Sequence, residues 1–170
     1  QVTTVSYDTT VKLWDIGEGR TISTLTNHKK SVRGICQHPS EFNFATGSAD
    51  NIKKWNYPNG EFQMNMDRHA AVVNSMAVNQ DGVMVSGADN GTLQFYDWTT
   101  GYCFQKYRAP PQPGSLASEN GVYALSFDKT GSRLISCEAD KSVKFYKEDD
   151  SATEESHPVQ WNPTLRRSRF

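Results

Sequence analysis

The sequence predicts an all-β fold, a partial β-propeller of three full blades plus part of a first, and three observations support this. Aromatic anchors recur at Trp14, Trp55, Tyr96 and Tyr146, at intervals of 41, 41 and 50 residues. A small polar segment precedes each anchor: TTVSYD ending at Asp8, ATGSAD at Asp50, VSGADN at Asn90 and ISCEAD at Asp140. Short alternating stretches flank these signals, as in Val11-Leu13 and Val143-Phe145, and suit strands with two different faces. A period of about 40 to 45 residues with one such anchor per unit is the signature of a four-stranded propeller blade.

The first unit, residues 1–30, is incomplete. Gln1 to Asp8 reads as the second strand of a blade without its first, followed by TTVKLWDIGEGR from Thr9 and an outer strand. The second unit, residues 31–70, shows the whole pattern. Its strands are expected at Ser31 to Gln37, Asn43 to Gly47, Ile52 to Asn56 and Glu61 to Met66. Turns fall at His38-Pro39-Ser40, Ala49-Asp50-Asn51 and Pro58-Asn59-Gly60, where Pro, Gly and short polar side chains favour them. The third unit, residues 71–109, runs similarly from Val72 to Arg108. Residues 110–120 follow as a loop between blades, because three prolines, two serines and a glycine in APPQPGSLASEN cannot continue a sheet. The last unit, residues 121–150, has strands near Val122 to Phe127, Arg133 to Cys137 and Ser142 to Tyr146. Its outermost strand has no clear place in EDDSATEES. Residues 151–170 form a C-terminal tail.

The aromatic-acid pair at Trp14-Asp15 and its degenerate copies at Trp55-Asn56 and Tyr96-Asp97 make this a WD-repeat β-propeller. Three and a half blades cannot close a ring of the usual four to eight. The remaining blades are therefore expected from the same protein, with a second chain as the alternative.

Composition narrows the function. The formal charge is -1, from 18 basic and 19 acidic side chains, so no global field draws this chain to nucleic acid or membrane. A hydrophobic fraction of only 36%, with eight Phe, seven Tyr and four Trp, points to thin sheets packed with large side chains. Cys36, Cys103 and Cys137 have no framework spacing and sit in strand-like runs, so they read as reduced core or near-core thiols. No stretch approaches 18 apolar residues and no secretory signal is visible, which argues against membrane spanning and secretion.

One polar constellation invites an enzyme reading. His28, Thr46, Ser48, Asp50 and Trp55 lie around one blade, and a His, a hydroxyl and an Asp resemble hydrolase parts. Similar groups recur once per blade in altered form, as His69, Ser86, Asn90 and Tyr96, then as Ser136, Asp140 and Tyr146 without a His. Catalysis needs one nucleophile, one base and an oxyanion partner, whereas a repeated network needs only satisfied partners. The expectation is therefore structural: Asp50 accepts from His28, whose other nitrogen meets Thr46 or Ser48, and Trp55 donates to the hydroxyl. No catalytic residue, cofactor or metal is assigned, since His28, His38, His69 and His157 lack zinc spacing.

Surfaces carry the functional candidates. Loops before the first strand and between the second and third strands share one rim, displaying Lys29, Lys30, Asn51, Arg68, Ala71, Asp89, Asn90 and Lys141. The run His28 to Arg33 and the pair Lys53-Lys54 make a modest basic patch, read either as ordinary solubilising lysines or as a contact for phosphate or an acidic partner. In the tail, five acids in KEDDSATEE precede Arg166, Arg167 and Arg169, which lie beside Trp161, Leu165 and Phe170. Val159 and Trp161 are expected to dock on the propeller or on a neighbour, and Ser168 among the arginines is a candidate phosphate acceptor.

TGSADNIKKWNYPNGEF from Thr46, NGTLQFYDWTTGYCFQ from Asn90 and the long segment from Pro110 to Asp149 resemble the pleiotropic regulator 1 family of spliceosomal WD-repeat proteins. The resemblance covers nearly the whole chain, and the PPQPGSL insertion is its most specific part. Tyr96 and Tyr146 in place of Trp, and the missing His before Val122, depart from the generic repeat. The resemblance implies a seven-bladed ring after a non-propeller N-terminal region. It also implies a nuclear, non-catalytic scaffold in the Prp19-associated complex, acting in pre-mRNA splicing. Implied neighbours are a cell-division-cycle 5-like protein and a SKI-interacting-type protein, with small nuclear RNA or pre-mRNA nearby and no membrane. Two alternatives are a substrate receptor of a cullin-type ubiquitin ligase and a signalling WD-repeat adaptor.

Overall fold

A computed structural model describes residues 1–116, 118–153 and 155–158. They form fourteen strands in four antiparallel sheets, each a simple meander in chain order. The first sheet has β1 (Val2–Val5), β2 (Val11–Asp15) and β3 (Arg20–Leu25). The second has β4 (Val32–Gln37), β5 (Asn43–Ser48), β6 (Ile52–Asn56) and β7 (Glu61–Asn65). The third has β8 (Val73–Val78), β9 (Val83–Ala88), β10 (Thr92–Asp97) and β11 (Cys103–Arg108). The fourth has β12 (Val122–Phe127), β13 (Arg133–Glu138) and β14 (Val143–Lys147). Strand bounds in the second and last units fall within a residue or so of the sequence expectation, whereas β1 ends at Val5 rather than near Asp8, because residues 6–9 form the turn into β2. The acidic segment after Lys147 makes hydrogen-bonded turns at Asp149 to Ala152 and Thr153 to His157, and no fourth strand joins the last sheet among the described residues.

Each seam between sheets has its own core. Val11, Leu13 and Leu25 of the first sheet pack on Val32, Phe44 and Trp55 of the second. Cys36, Ala45 and Ile52 then meet Val73, Met76, Met84, Tyr96 and Trp98, and Val85 and Leu93 meet Val122 and Leu134. Inner strands β4, β8 and β12 stand side by side. Close approach is secured by glycine. A Cβ built on Gly47 would lie 2.8 Å from Val73 Cγ1, and one on Gly87 would lie 2.5 Å from Val122 Cγ1. Cys137 occupies the same repeat column on β13 and is exposed. It is not the core thiol the sequence suggested, because no described strand covers that face of the last sheet. Cys36 is buried, which pushes its thiol up to about 12, and Cys103 is half-buried.

Candidate functional site

The polar network of the second blade is assembled by three elements. The loop before β4 delivers His28, β5 delivers Thr46, and the turn after β5 delivers Asp50. His28 Nδ1 lies 3.1 Å from Asp50 Oδ1 and its Nε2 lies 2.8 Å from Thr46 Oγ1. Trp55 on β6 donates its indole N–H to Thr46 Oγ1 at 2.8 Å. One proton order satisfies every group: Trp55 donates to Thr46, Thr46 to His28 Nε2, and His28 Nδ1 to Asp50. Ser48 stands apart from His28 and donates to the Lys30 carbonyl at 3.0 Å. Burial lowers the His28 pKa against the opposing pull of Asp50. Burial raises Asp50, but the Lys29 N–H, His28 and Ser48 outweigh it and hold the carboxyl at about 2.

The neighbouring blades keep the anchor and change the rest. In the first, Trp14 donates to Thr4 Oγ1 at 2.8 Å. In the third, His69 contacts Ser86 Oγ at 2.7 Å and Thr92 Oγ1 at 2.6 Å, two hydroxyls in place of the carboxylate and hydroxyl that His28 meets. Burial first, and Lys106 second, bring His69 down to about 4. Tyr96 replaces the tryptophan and donates to Gln94 at 2.8 Å. In the last blade the part is played by Glu138, which the sequence did not single out. Its carboxylate accepts from Ser136 at 3.0 Å and from Tyr146 at 3.4 Å, and pairs with Lys144. Asp140 accepts the Gln112 backbone N–H at 2.7 Å, and burial moves the Tyr146 hydroxyl up to about 12. A visible signal existed: Glu138 stands in the column otherwise filled by Ser48 and Ala88.

The arrangement has little to offer a substrate. Thr46 is fully buried and its oxygen is committed to both His28 and Trp55. Among the described residues no buried side-chain polar atom lacks a partner, and no cluster of His, Cys, Asp or Glu is placed to hold a metal.

The rim is where the basic patch must be revised. Lys29, Lys30, Arg33, Arg68 and Lys141 are exposed, and Asn51 is half-buried. Lys53 and Lys54 are buried, so they are not part of a basic surface. Lys53 Nζ bonds Asn65 at 2.8 Å. Lys54 Nζ lies 4.6 Å from the Trp98 ring centre, donates to the Trp98 carbonyl at 3.1 Å and pairs with Glu41 at 3.7 Å. Desolvation lowers both lysine pKa values. The reason is the seam: β6 has sheet neighbours on both sides and a blade against each face, so an alternating strand hides both lysine stems. Trp98, also missed, donates to Glu41 and Asn43 of the preceding blade at 3.0 and 3.2 Å and locks that seam. Val159, Trp161, Leu165, Arg166, Arg167, Ser168, Arg169 and Phe170 lie outside the described residues.

Comparison with known proteins agrees with this geometry. The family model for the WD domain, G-beta repeat, matches residues 19–56, 60–97 and 112–147. The chain is similar to pleiotropic regulator 1 of Homo sapiens, 56% identical over 137 residues that cover 80% of this chain and 27% of that protein. It is 50% identical to the protein pleiotropic regulator PRL2 of Arabidopsis thaliana over 153 residues, covering 89% of this chain and 32% of the relative. It is 48% identical to pre-mRNA-splicing factor PRP46 of Eremothecium gossypii over 135 residues, covering 78% and 32% respectively. The chain thus spans about a third or less of the length of these relatives.

Proposed function

The chain belongs to the WD-repeat family, as a homologue of the pleiotropic regulator 1 and PRP46 proteins, and from that premise we propose that it is part of a non-catalytic scaffold of the spliceosome. It acts in pre-mRNA splicing within the Prp19-associated complex, in the nucleus. The observation that carries the proposal is the similarity, along most of this chain, to relatives named as pre-mRNA-splicing factors. The geometry supports it physically. Seams packed glycine to valine and locked by Trp98 hold the blades rigid, so several partners can be engaged at once with little motion. A cell-division-cycle 5-like protein and a SKI-interacting-type protein are the proposed neighbours, and the rest of a seven-bladed ring comes from the same protein.

The test is crosslinking mass spectrometry with parallel RNA crosslinking on the tagged full-length protein from nuclear extract. Links from Lys29, Lys30 or Lys141 to splicing proteins are expected. A set of links to a cullin adaptor without spliceosomal material would replace the proposal with the ligase-receptor reading.

A further inference from the structure

Beyond β14 the chain turns back toward the third sheet. It makes the turns at Asp149 to Ala152 and Thr153 to His157, and Pro158 then forms one wall of a groove of about 490 Å³ on the outer edge of the third blade. The other walls include Asp67 and Arg68 from the loop after β7, Tyr102 from the turn before β11, and Phe104 and Lys106 from β11 itself. β11 is the outermost strand of its sheet, so the chain has passed from the outer strand of the last blade to that of the blade before it. The start of β11 is held in place. The Cys103 N–H donates to Asp67 Oδ2 at 2.8 Å, and the Asp67 N–H donates to the Gly101 carbonyl at 2.9 Å.

The groove is built to seat an aromatic ring. Tyr102 and Phe104 are half-buried and each shows part of its ring, and the thiol-bearing Cys103 between them is also half-buried and lines the groove. Arg68 and Lys106 are exposed, and neither forms an ion pair among the described residues. A ring placed between aromatic walls and two cations gains from burial and from cation–π attraction. Such a ring follows at once in the sequence: Trp161 is the single Phe, Tyr or Trp between Tyr146 and Phe170. At about 3.3 to 3.6 Å per residue, Trp161 is within ~10 Å of Pro158 along the chain, so the groove is inside its reach. A tethered segment has an effective concentration on the order of millimolar, which a separate partner lacks.

We infer that this groove is the seat of the chain's own segment from Val159 to Pro163, with Trp161 held by Tyr102 and Phe104 and capped by Arg68 and Lys106. The segment acts as a strap on the outside of the propeller, tying the last blade to the third. Its seat covers the Cys103 thiol. The inference stands apart from the splicing role, since it concerns one chain and needs no partner.

The test follows iodoacetamide alkylation of Cys103 in the purified full-length protein, with each cysteine quantified by peptide mass spectrometry. Trp161→Ala is expected to speed Cys103 alkylation about tenfold, equivalent to about 1.4 kcal/mol for one docked ring. Trp161→Phe should restore most of the protection, and deletion of residues 159–163 should match the alanine variant. Arg68→Ala should give a smaller rise alone and none on top of Trp161→Ala, because both changes act on one contact. Cys36, buried in the core, stays unreacted as long as the blades remain closed. An unchanged Cys103 rate in Trp161→Ala overturns the proposal, as do additive effects of Arg68→Ala and Trp161→Ala. So does a rise at Cys36 in step with Cys103, which makes blade opening the cause. Protection in the wild type that grows with protein concentration also overturns it, by assigning the groove to the segment of a second copy.

Discussion

Thr46→Val separates a structural network from an active site, because valine matches threonine in shape and removes only the hydroxyl. In the native blade that oxygen accepts from Trp55 and stands 2.8 Å from His28 Nε2. The variant leaves the indole N–H and one imidazole nitrogen without partners in a site where His28 is 4% exposed and Trp55 1%. Each orphaned buried group costs about 1 to 3 kcal/mol, so the variant should lose about 2 to 6 kcal/mol. Thr46→Ser keeps the hydroxyl and should lose about 1 kcal/mol for its methyl. The assay is urea unfolding of the full-length protein followed by tryptophan fluorescence, with the slope compared between variants. A Thr46→Val midpoint equal to that of wild type, or a Ser variant less stable than the Val variant, would refute the network. A hydrolase reading predicts the reverse pattern, with stability kept and a turnover abolished.

Three further outcomes follow from the same contacts. Asp50→Ala removes the acceptor of both His28 Nδ1 and the Lys29 N–H, and should cost about 1 to 3 kcal/mol in the same urea melts; an unchanged midpoint removes Asp50 from the account. Gly87→Ala puts a methyl 2.5 Å from Val122 Cγ1 and 3.0 Å from Leu125 Cδ1, an overpacking cost of about 1 to 3 kcal/mol. Combined with Val122→Ala, the pair should cost at least about 0.5 kcal/mol less than the sum of the singles, and strict additivity would show that the seam is not tight there. His69 titrates near 4 when folded against 6.5 in the unfolded chain, so the unfolded state binds the proton first. Its contribution is complete above pH 6.5 and is lost as pH falls toward 4, about 3 kcal/mol in all. Asp50, held at about 2, extends the loss to lower pH. His69→Gln should flatten the upper part of that curve, and a native protein that gains stability on acidification would contradict the sign.

Much of the fold was legible because it is periodic. Anchors, turns and the loop between blades are local signals, and a strand one residue out of phase would turn its buried face outward. The network around His28 could be anticipated because its members stand at fixed places in the unit, even though the neighbouring blades fill some of those places with other residues. What stayed hidden depends on contacts between units. Lys53 and Lys54 read as a basic pair, since nothing local says that β6 is covered on both faces. Trp98 carries no local signal of its role, because its indole reaches Glu41 and Asn43 in the preceding blade. β4, β8 and β12 each shift register against the next strand at Arg33, Asn74 and Tyr123, and these bulges leave no mark in the sequence, because one unpaired residue does not disturb a pattern only six residues long.

The last blade shows how a degraded repeat and an inserted loop can compensate each other. In the second blade, His28 ties the incoming loop to the sheet through Asp50 and Thr46. In the last, the loop from residue 109 to 121 supplies no histidine, and the tie is made from the sheet side. Asp140 reaches out to the Gln112 N–H, while Lys144 bonds the Pro110 carbonyl and is held by Glu138 underneath. Asn120 closes the loop base on the Ala109 carbonyl at 2.8 Å, and Ala139 N donates to the Gly121 carbonyl at 2.8 Å. A proline-rich insertion is thereby anchored at both ends and at its first turn, with Leu116 between these anchors 67% exposed. A loop without such anchors would lose on binding the entropy that this one has already given up in folding. The exchange of a histidine for Glu138 and Lys144 is therefore part of how the inserted loop is tied to its blade.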